Sequence, residues 1–166
     1  MPGSATRASA AKATGATAKV STSVRANITA EASAIDSDGW FDTGDIATLD
    51  PLGFLRLTDR KKDVIKSGGE WVSSIDIEIA AASHPAVKVA AVIGAAHPKW
   101  EERPVLIIEL HSGATLDEAE MRTHLEPQMV RWWLPDAVVL AEIPLNANGK
   151  VDKKQLRDRY GNCLMG

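Results

Sequence analysis

The stretch from Asp59 to Trp71 constrains the fold most, because charged residues there surround a short apolar pair and lead into two adjacent glycines. Val64 and Ile65 predict a short strand over residues 64–66. Gly68 and Gly69 follow, and glycine readily adopts the positive φ that a sharp corner requires. The stretch therefore predicts a charged joint, a strand and a corner with little side-chain bulk. On spacing alone, an ordinary solvated turn explains the same residues.

Length and composition limit the class of protein. A chain of 166 residues with 45% apolar content forms one domain or little more. No run of about 18 apolar residues occurs, so we expect no membrane span. A net charge of -3 gives no general attraction to nucleic acid. Cys163 is the single cysteine, which fits a reducing, cytoplasmic setting, and no Cys or His pair has metal-ligand spacing.

The first 34 residues are dominated by Ala, Ser, Thr and Gly. Val20, Val24 and Ile28 recur every four residues, but so few apolar side chains bury too little surface to offset the entropy of ordering. We therefore expect residues 1–34 to be disordered. An acid-poor start with scattered basic residues is also found in organelle-targeting segments, although the clear amphipathic pattern of such a segment is missing.

Residues 35–60 have the pattern of turns and short strands. The runs 46–49 and 54–58 flank Asp50-Pro51-Leu52-Gly53, where proline in second place fits a type I turn. They predict a β-hairpin. Asp45 lies just before the first strand, where a loop carboxylate can face a ligand.

The residues after the glycine corner predict alternating helices and strands. Ser73 and Ser74 offer a helix N-cap, and the helix should end near Ser83 because Pro85 disfavours the α conformation in the residue before it. The apolar face of this helix should comprise Ile75, Ile79 and Ala82.

The remaining elements follow in order. Apolar, β-branched runs predict strands at 87–94 and 103–110, and in the loop between them we expect His97 to form hydrogen bonds. Thr115-Leu116-Asp117-Glu118 is a capping box that predicts a helix over 116–130, which Pro127 ends or bends. Trp132 and Trp133 predict packing contacts. Residues 137–141 predict another strand, and residues 152–160 predict a final helix.

Several of these segments together resemble one family, the AMP-forming acyl-CoA synthetases of the adenylate-forming superfamily, in particular the medium- and long-chain fatty acyl branch. The motifs occur in the family's order over about three quarters of the chain, and they match only the C-terminal end of such an enzyme. They are the runs 38–45 (DGWFDTGD), 66–76 (KSGGEWVSSID), 97–100 (HPKW), 132–136 (WWLPD) and 148–150 (NGK).

The resemblance implies an α+β fold. Residues 61–166 would form the C-terminal swinging domain, with a small mixed sheet of about three strands flanked by helices. Residues 35–60 would be a hairpin remnant of the large AMP-binding domain that precedes it.

The resemblance also implies roles for individual residues. Asp45 and Arg60 would contact the ribose of ATP, a task that suits a carboxylate because it accepts hydrogen bonds from two hydroxyls. Lys62 would be the hinge between two half-reactions. Lys150 would be the catalytic residue, stabilising charge as the acyl-adenylate forms. The surface facing CoA would comprise Lys66, Gly68, Gly69, Glu70 and Trp71.

The family also uses a phosphate loop, a magnesium-binding element and an acyl pocket, and no segment here matches them. ATP and CoA are substrates of the family, but we expect no magnesium ligand in this chain and no activity from the chain alone, as for a truncated form of a longer enzyme. Two alternatives remain: a partner acting in trans on a separate large adenylation domain, and a non-catalytic module that binds CoA or a carrier arm.

Overall fold

A computed structural model describes residues 6–10, 18–25, 37–38, 40–50, 52 and 54–166. The chain forms two compact units, which divide between Lys62 and Asp63. Among the described residues, every helix is too short or too polar to span a bilayer.

The first unit contains a four-stranded antiparallel sheet in the order β1-β2-β3-β4. Its strands are β1 (Thr6–Ala10), β2 (Ala18–Arg25), β3 (Trp40–Leu49) and β4 (Leu55–Arg60). The predicted hairpin is confirmed as the β3–β4 pair, with longer strands than expected. The predicted type I turn includes Pro51 and Gly53, which lie outside the described residues.

The prediction of disorder over residues 1–34 is wrong for the two stretches that form β1 and β2. The strand β2 pairs with β3 from Ala18↔Leu49 to Arg25↔Trp40, and β1 pairs with β2. An antiparallel ladder gives backbone N–H and C=O groups their partners whatever the side chains are. Composition alone therefore underestimates the tendency of such segments to form strands. The rest of the predicted disordered segment lies outside the described residues.

The second unit is an α+β domain built on a mixed sheet, as predicted. Its sheet has five strands instead of about three, in the order β6-β5-β8-β7, with β9 parallel to β8. Two of them are only three residues long and flank the glycine corner. The strands are β5 (Ile65–Ser67), β6 (Glu70–Val72), β7 (Val87–His97), β8 (Glu101–Leu110) and β9 (Ala137–Leu140), and the helices are α1 (Ser74–Ala82), α2 (Glu118–Leu125) and α3 (Lys153–Tyr160).

The central strand β8 has apolar side chains on both of its faces because both are covered. Leu106 and Ile108 belong to the core cluster that includes residues of α1 and α2. Val105 and Ile107 point to the opposite face and belong to a second cluster, which includes Leu156 of α3. All five side chains are fully buried. The helices α1 and α3 are thus held on the two faces of one sheet.

Helix α1 begins as predicted but buries a different face. The Ser73 Oγ accepts a hydrogen bond from the Asp76 N–H at 3.2 Å, which confirms the N-cap. The predicted apolar face is wrong, since Ile79 is 62% exposed and Ile77 is fully buried. Apolar residues lie on several sides of this helix, so their spacing does not select a face. The buried residues of α1 are Ser74, Ile77, Ala80 and Ala81.

Other boundaries also differ from the sequence prediction. The N-cap of α2 is Asp117, whose Oδ1 accepts from the Glu120 N–H at 2.8 Å, and not Thr115. The helix ends at Leu125 and continues as the 3-10 turn Glu126–Gln128, which places the predicted disruption at Pro127. The strands β7 and β8 extend into the predicted loop and leave residues 98–100 as the turn.

Candidate functional site

Asp45 and Arg60 are paired across the β3–β4 hairpin. The Nε atom of Arg60 lies 3.8 Å from Oδ1 of Asp45, with 30% of the Asp45 side chain and 62% of the Arg60 side chain exposed. A carboxylate and a guanidinium are therefore presented side by side, where one can accept from hydroxyl groups and the other can bind an anion. The structure brings together the two residues that the sequence predicted to contact ribose.

A cavity of about 430 Å³ lies beside this pair, lined by Thr43, Gly44, Arg60, Lys61 and Lys62. Gly44 has a φ of 69°, and its carbonyl oxygen accepts from the Lys61 N–H at 2.7 Å. This bond closes the end of the hairpin around the cavity. Three of the five lining residues are basic, and two of them, Arg60 and Lys61, pair with the carboxylates of Asp45 and Asp42.

Asp42 shapes the same bend. Its Oδ1 accepts from the Gly44 N–H at 2.9 Å, and its Oδ2 lies 3.3 Å from the Lys61 Nζ. The backbone hydrogen bond from Gly44, and then Lys61, lower the pKa of Asp42 below its ordinary value. The ionised carboxylate thus holds the Thr43-Gly44 bend and one of the basic side chains in place.

The predicted hinge, Lys62, is exposed in the turn between β4 and β5. The boundary between the two compact units falls directly after it. The next residue is anchored, because Oδ1 of Asp63 accepts from Arg157 Nη1 at 2.9 Å and only 12% of the Asp63 side chain is exposed. The second unit is therefore held firmly from Asp63 onward.

The glycine corner joins β5 to β6, with Lys66 opposite Trp71 and Ser67 opposite Glu70. The predicted positive φ values are confirmed, at 58° for Gly68 and 86° for Gly69. This hairpin brings together the residues that the sequence predicted to face CoA. Lys66, Gly68, Gly69 and Glu70 are exposed, and Trp71 is half-buried.

The two glycines of the corner have different surroundings. The Gly68 N–H donates to the Trp100 carbonyl oxygen at 2.9 Å, and a Cβ at Gly68 would lie 2.9 Å from Cε3 of the Trp100 ring. A Cβ at Gly69 would meet no heavy atom of the described residues within 4 Å. Trp100 thus covers the corner at Gly68, and space remains open at Gly69. The predicted hydrogen-bonding role of His97 is confirmed in the same turn, where its Nδ1 accepts from the Lys99 N–H at 3.1 Å.

Two residues that support the corner were not predicted from the sequence. Oε2 of Glu102 accepts from the Lys66 N–H at 2.9 Å. The Nη1 of Arg103 donates to the Ser67 Oγ at 3.0 Å, and its Nη2 donates to Asp136 Oδ1 at 2.7 Å. These contacts join residues 33 or 36 positions apart, so no local motif marks them.

Lys150 lies on a tight turn between residues 145 and 151, which form an antiparallel bridge. The side-chain oxygen of Asn146 accepts from the backbone N–H groups of Asn148 at 2.9 Å and Lys150 at 3.1 Å. Gly149 has a φ of 74° that this turn requires. The backbone is fixed while the Lys150 side chain is exposed, so an ammonium group is presented to solvent from a rigid base.

The predicted site residues therefore form separate groups within the two units. Asp45 and Arg60 lie together in the first, and the glycine corner and the Lys150 turn are different loops of the second. The described residues contain no cluster of three or more His, Cys, Asp or Glu side chains that could hold a metal ion.

Comparison with known proteins gives the class. Residues 76–150 match the AMP-binding enzyme C-terminal domain. The chain is 51% identical over 131 residues to 3-methylmercaptopropionyl-CoA ligase of Ruegeria pomeroyi, covering 78% of this chain and 24% of that protein. It is 47% identical over 142 residues to long-chain-fatty-acid--CoA ligase of Thermus thermophilus, covering 84% and 26%. ATP-bound MatB from Rhodopseudomonas palustris matches with a TM-score of 0.78 and 26% identity, covering 99% of this chain and 35% of that one.

The matched part of the chain is thus a C-terminal domain of the AMP-binding enzyme family, with the fold of the adenylate-forming enzymes. More particularly, the chain resembles the C-terminal portion of acyl-CoA ligases, as its motifs predicted. It spans about a quarter of the length of the curated relatives it matches.

Proposed function

We propose that this chain is the mobile C-terminal part of an ATP-dependent acyl-CoA ligase and that it acts together with a large adenylation domain. The observation that carries the proposal is the Lys150 turn, a rigid backbone that presents an exposed ammonium group at the end of the matched family domain. A compact cation with three donors suits the stabilisation of charge between two anions. The large domain would supply the pocket for the acid and most contacts to the triphosphate.

In the first half-reaction, a carboxylate oxygen of the acid attacks the α-phosphorus of ATP, and the bond from that phosphorus to pyrophosphate breaks. Lys150 would donate hydrogen bonds to both the carboxylate and the α-phosphate, so that it stabilises the charge that develops. Asp45 would accept hydrogen bonds from the ribose hydroxyls, and Arg60 would bind beside it. Their 3.8 Å separation suits contact with one ribose.

In the second half-reaction, the thiol of CoA loses its proton, its sulfur attacks the acyl carbon, and the bond from that carbon to AMP breaks. The open space at Gly69 would admit the narrow pantetheine arm, with Lys66, Gly68, Glu70 and Trp71 around it. Lys62 would be the hinge, and its backbone angles would change between the two half-reactions. It suits this role because it is exposed and directly precedes the unit boundary. Magnesium accompanies ATP in this family, but the described residues do not offer a cluster of ligands that fits it.

The acid that we propose is aliphatic, with fatty acids as the first candidates. The relatives named above act on 3-methylmercaptopropionate and on long-chain fatty acids, according to their names. The use of ATP is supported by the ATP-bound state of the MatB structure that the chain matches.

Complementation tests this proposal directly. The purified chain is mixed with the large domain of the Ruegeria relative, shortened by the portion that this chain matches, and supplied with ATP, CoA and a series of aliphatic acids. Acyl-CoA measured by mass spectrometry should rise only when both proteins are present, and neither protein alone should form it. If neither the mixture nor a covalent fusion of the two forms acyl-CoA, the proposal is wrong.

A second candidate is a module that binds CoA without catalysis, which the open space at Gly69 favours. Calorimetric titration of the chain alone with CoA distinguishes the binding module from the catalytic partner. Measurable heat together with no gain in the complementation assay would favour the binding module. The absence of heat up to millimolar CoA would exclude it.

A further inference from the structure

Helix α3 carries two basic residues one turn apart, and each forms an ion pair with a different part of the second unit. The Nζ of Lys153 lies 2.7 Å from Oε1 of Glu78 and 2.8 Å from Oγ of Ser74, both on α1. The Nη1 of Arg157 lies 2.9 Å from Oδ1 of Asp63. Positions four residues apart lie on the same side of a helix. One side of α3 therefore ties α1 to the start of the unit.

These two pairs are largely shielded from water, in contrast to a third pair on the same helix. Exposure is 16% for Lys153 and 21% for Glu78, and it is 32% for Arg157 and 12% for Asp63. Lys154 and Asp158 form a pair at 3.2 Å with 83% and 63% exposure. Solvent screens the exposed pair, whereas removing one partner of a shielded pair leaves a charge with little hydration.

Further contacts fix α3 and its neighbours in place. The Oε1 atom of Glu78 also accepts from the Val92 N–H at 2.8 Å, on the edge strand β7. Leu156 of α3 is fully buried, and the Gly161 carbonyl oxygen, just after the helix, accepts from the Ala96 N–H at 2.7 Å. The helix is therefore held at its first turn, its middle and its end.

The Lys150 turn continues directly into this helix. Asp152 is the N-cap of α3, its Oδ1 accepts from the Gln155 N–H at 3.0 Å, and its own N–H donates to the Pro144 carbonyl oxygen at 2.8 Å. Pro144 lies just before the turn and Asp152 lies just after it. The base of the turn is thus bonded to the same residue that begins α3.

We infer that Lys153 and Arg157 are positioning residues that hold the Lys150 turn in a fixed relation to Asp63, the first residue after the proposed hinge. The inference rests on the proposed function, because it concerns the lysine assigned to adenylate formation. With both pairs intact, a rotation at Lys62 moves Lys150 as part of one rigid unit. With either pair broken, the ammonium group reaches the reacting atoms less often in the correct geometry.

Kinetics of the first half-reaction test the inference in the complementation system. Lys153→Met and Arg157→Met should each lower kcat for acyl-adenylate formation by about 10- to 100-fold, with KM for ATP nearly unchanged. Lys154→Met, the matched control on the same helix, should leave both unchanged. In a Lys150→Ala background, Lys153→Met should cause no further loss, because it acts through Lys150. A further loss of the same size in that background would overturn the inference.

Hydrogen exchange on the full chain provides a readout that does not need activity. The backbone amides of Gly149 and Lys150 should exchange faster in Lys153→Met than in Lys154→Met, while circular dichroism confirms that both variants are folded. If Arg157→Met does not fold, the reversed pair Asp63→Arg with Arg157→Asp should restore folding and protection. Equal exchange in the Lys153 and Lys154 variants would refute the positioning role. Faster exchange without activity in any complementation would instead count against the proposed function.

Discussion

The Nη1 atom of Arg103 lies 3.0 Å from the Oγ of Ser67, the residue directly before the Gly68-Gly69 corner. The same guanidinium donates to the Asp136 carboxylate and to the Trp132 carbonyl oxygen, and only 12% of its side chain is exposed. One side chain thus joins β5, the 3-10 turn Arg131–Trp133 and the segment before β9. The corner that we propose to face CoA is supported from inside the domain.

Replacement of Arg103 should destabilise the second unit. Arg103→Met removes hydrogen bonds from a charged donor and leaves Asp136 without its partner, so we expect the free energy of unfolding to fall by about 2–3 kcal/mol. Arg122→Met is the matched control, because Arg122 pairs with Glu118 on the exposed side of α2 and should change it by less than about 1 kcal/mol. Urea unfolding followed by circular dichroism measures both. Equal stability of the two variants would show that the Arg103 contacts contribute little.

The two glycines of the corner should respond differently to a methyl group. Both have positive φ, which costs an L-residue about 1–2 kcal/mol. Gly68→Ala also places its Cβ against the Trp100 ring, whereas Gly69→Ala meets open space. Thermal unfolding should therefore give the lower Tm for Gly68→Ala, and Trp100→Ala in the same chain should reduce the difference. A Gly69→Ala variant that is less stable than Gly68→Ala would contradict the observed packing.

Helix α1 provides a test of which face is buried. Ile77→Ala empties a fully buried position and should lower the free energy of unfolding by about 2–5 kcal/mol. Ile79→Ala changes a side chain that is 62% exposed and should alter it by no more than about 0.5 kcal/mol. Urea unfolding followed by circular dichroism compares the two variants. A larger loss of unfolding free energy in Ile79→Ala than in Ile77→Ala would instead support the face that the sequence predicted.

Local sequence patterns predict where the helices and strands of this fold lie. They predict less well which face of each element is buried and which strands pair. The strands at β7, β8 and β9 follow from β-branched apolar runs, and the start of α1 follows from the Ser73 cap. The buried face of α1 does not, because Ile77 and Ile79 are equally apolar and only the packing of the helix in the folded domain distinguishes them. The strands β1 and β2 were missed because their residues have the composition of a disordered segment, while their pairing with β3 is a long-range property.

The candidate site is predictable only where its residues are close in sequence. The positive φ values at the corner follow from adjacent glycines. The supporting residues were missed because their partners are distant: Arg103 contacts Ser67 from 36 positions away, and Lys153 contacts Ser74 from 79 positions away. The roles that we propose for Asp45 and Lys150 rest on resemblance to a family, since their spacing alone is equally typical of solvated turns.

The pKa of Asp42 predicts a pH effect in the first unit. Hydrogen bonding by the Gly44 N–H, and then by Lys61, holds this pKa below the ordinary 3.8. A carboxyl whose pKa is lowered by folding stabilises the folded state above the ordinary pKa, and this contribution is lost as the pH falls through the folded value. Carboxyl NMR titration should find the lowered pKa, and Lys61→Met should raise it only part of the way. An unshifted pKa in the unmodified chain would contradict the contacts described here.

We propose that Lys150 acts in adenylate formation and that the glycine corner acts in thioester formation. The most direct test separates the two half-reactions in the chain combined with a large adenylation domain. Lys150→Ala should lower the rate of acyl-adenylate formation by about 100- to 1,000-fold and leave thioester formation from supplied acyl-adenylate nearly unchanged, with Lys154→Ala as the control. Unchanged adenylate formation in Lys150→Ala, or an equal loss in both half-reactions, would contradict the claim.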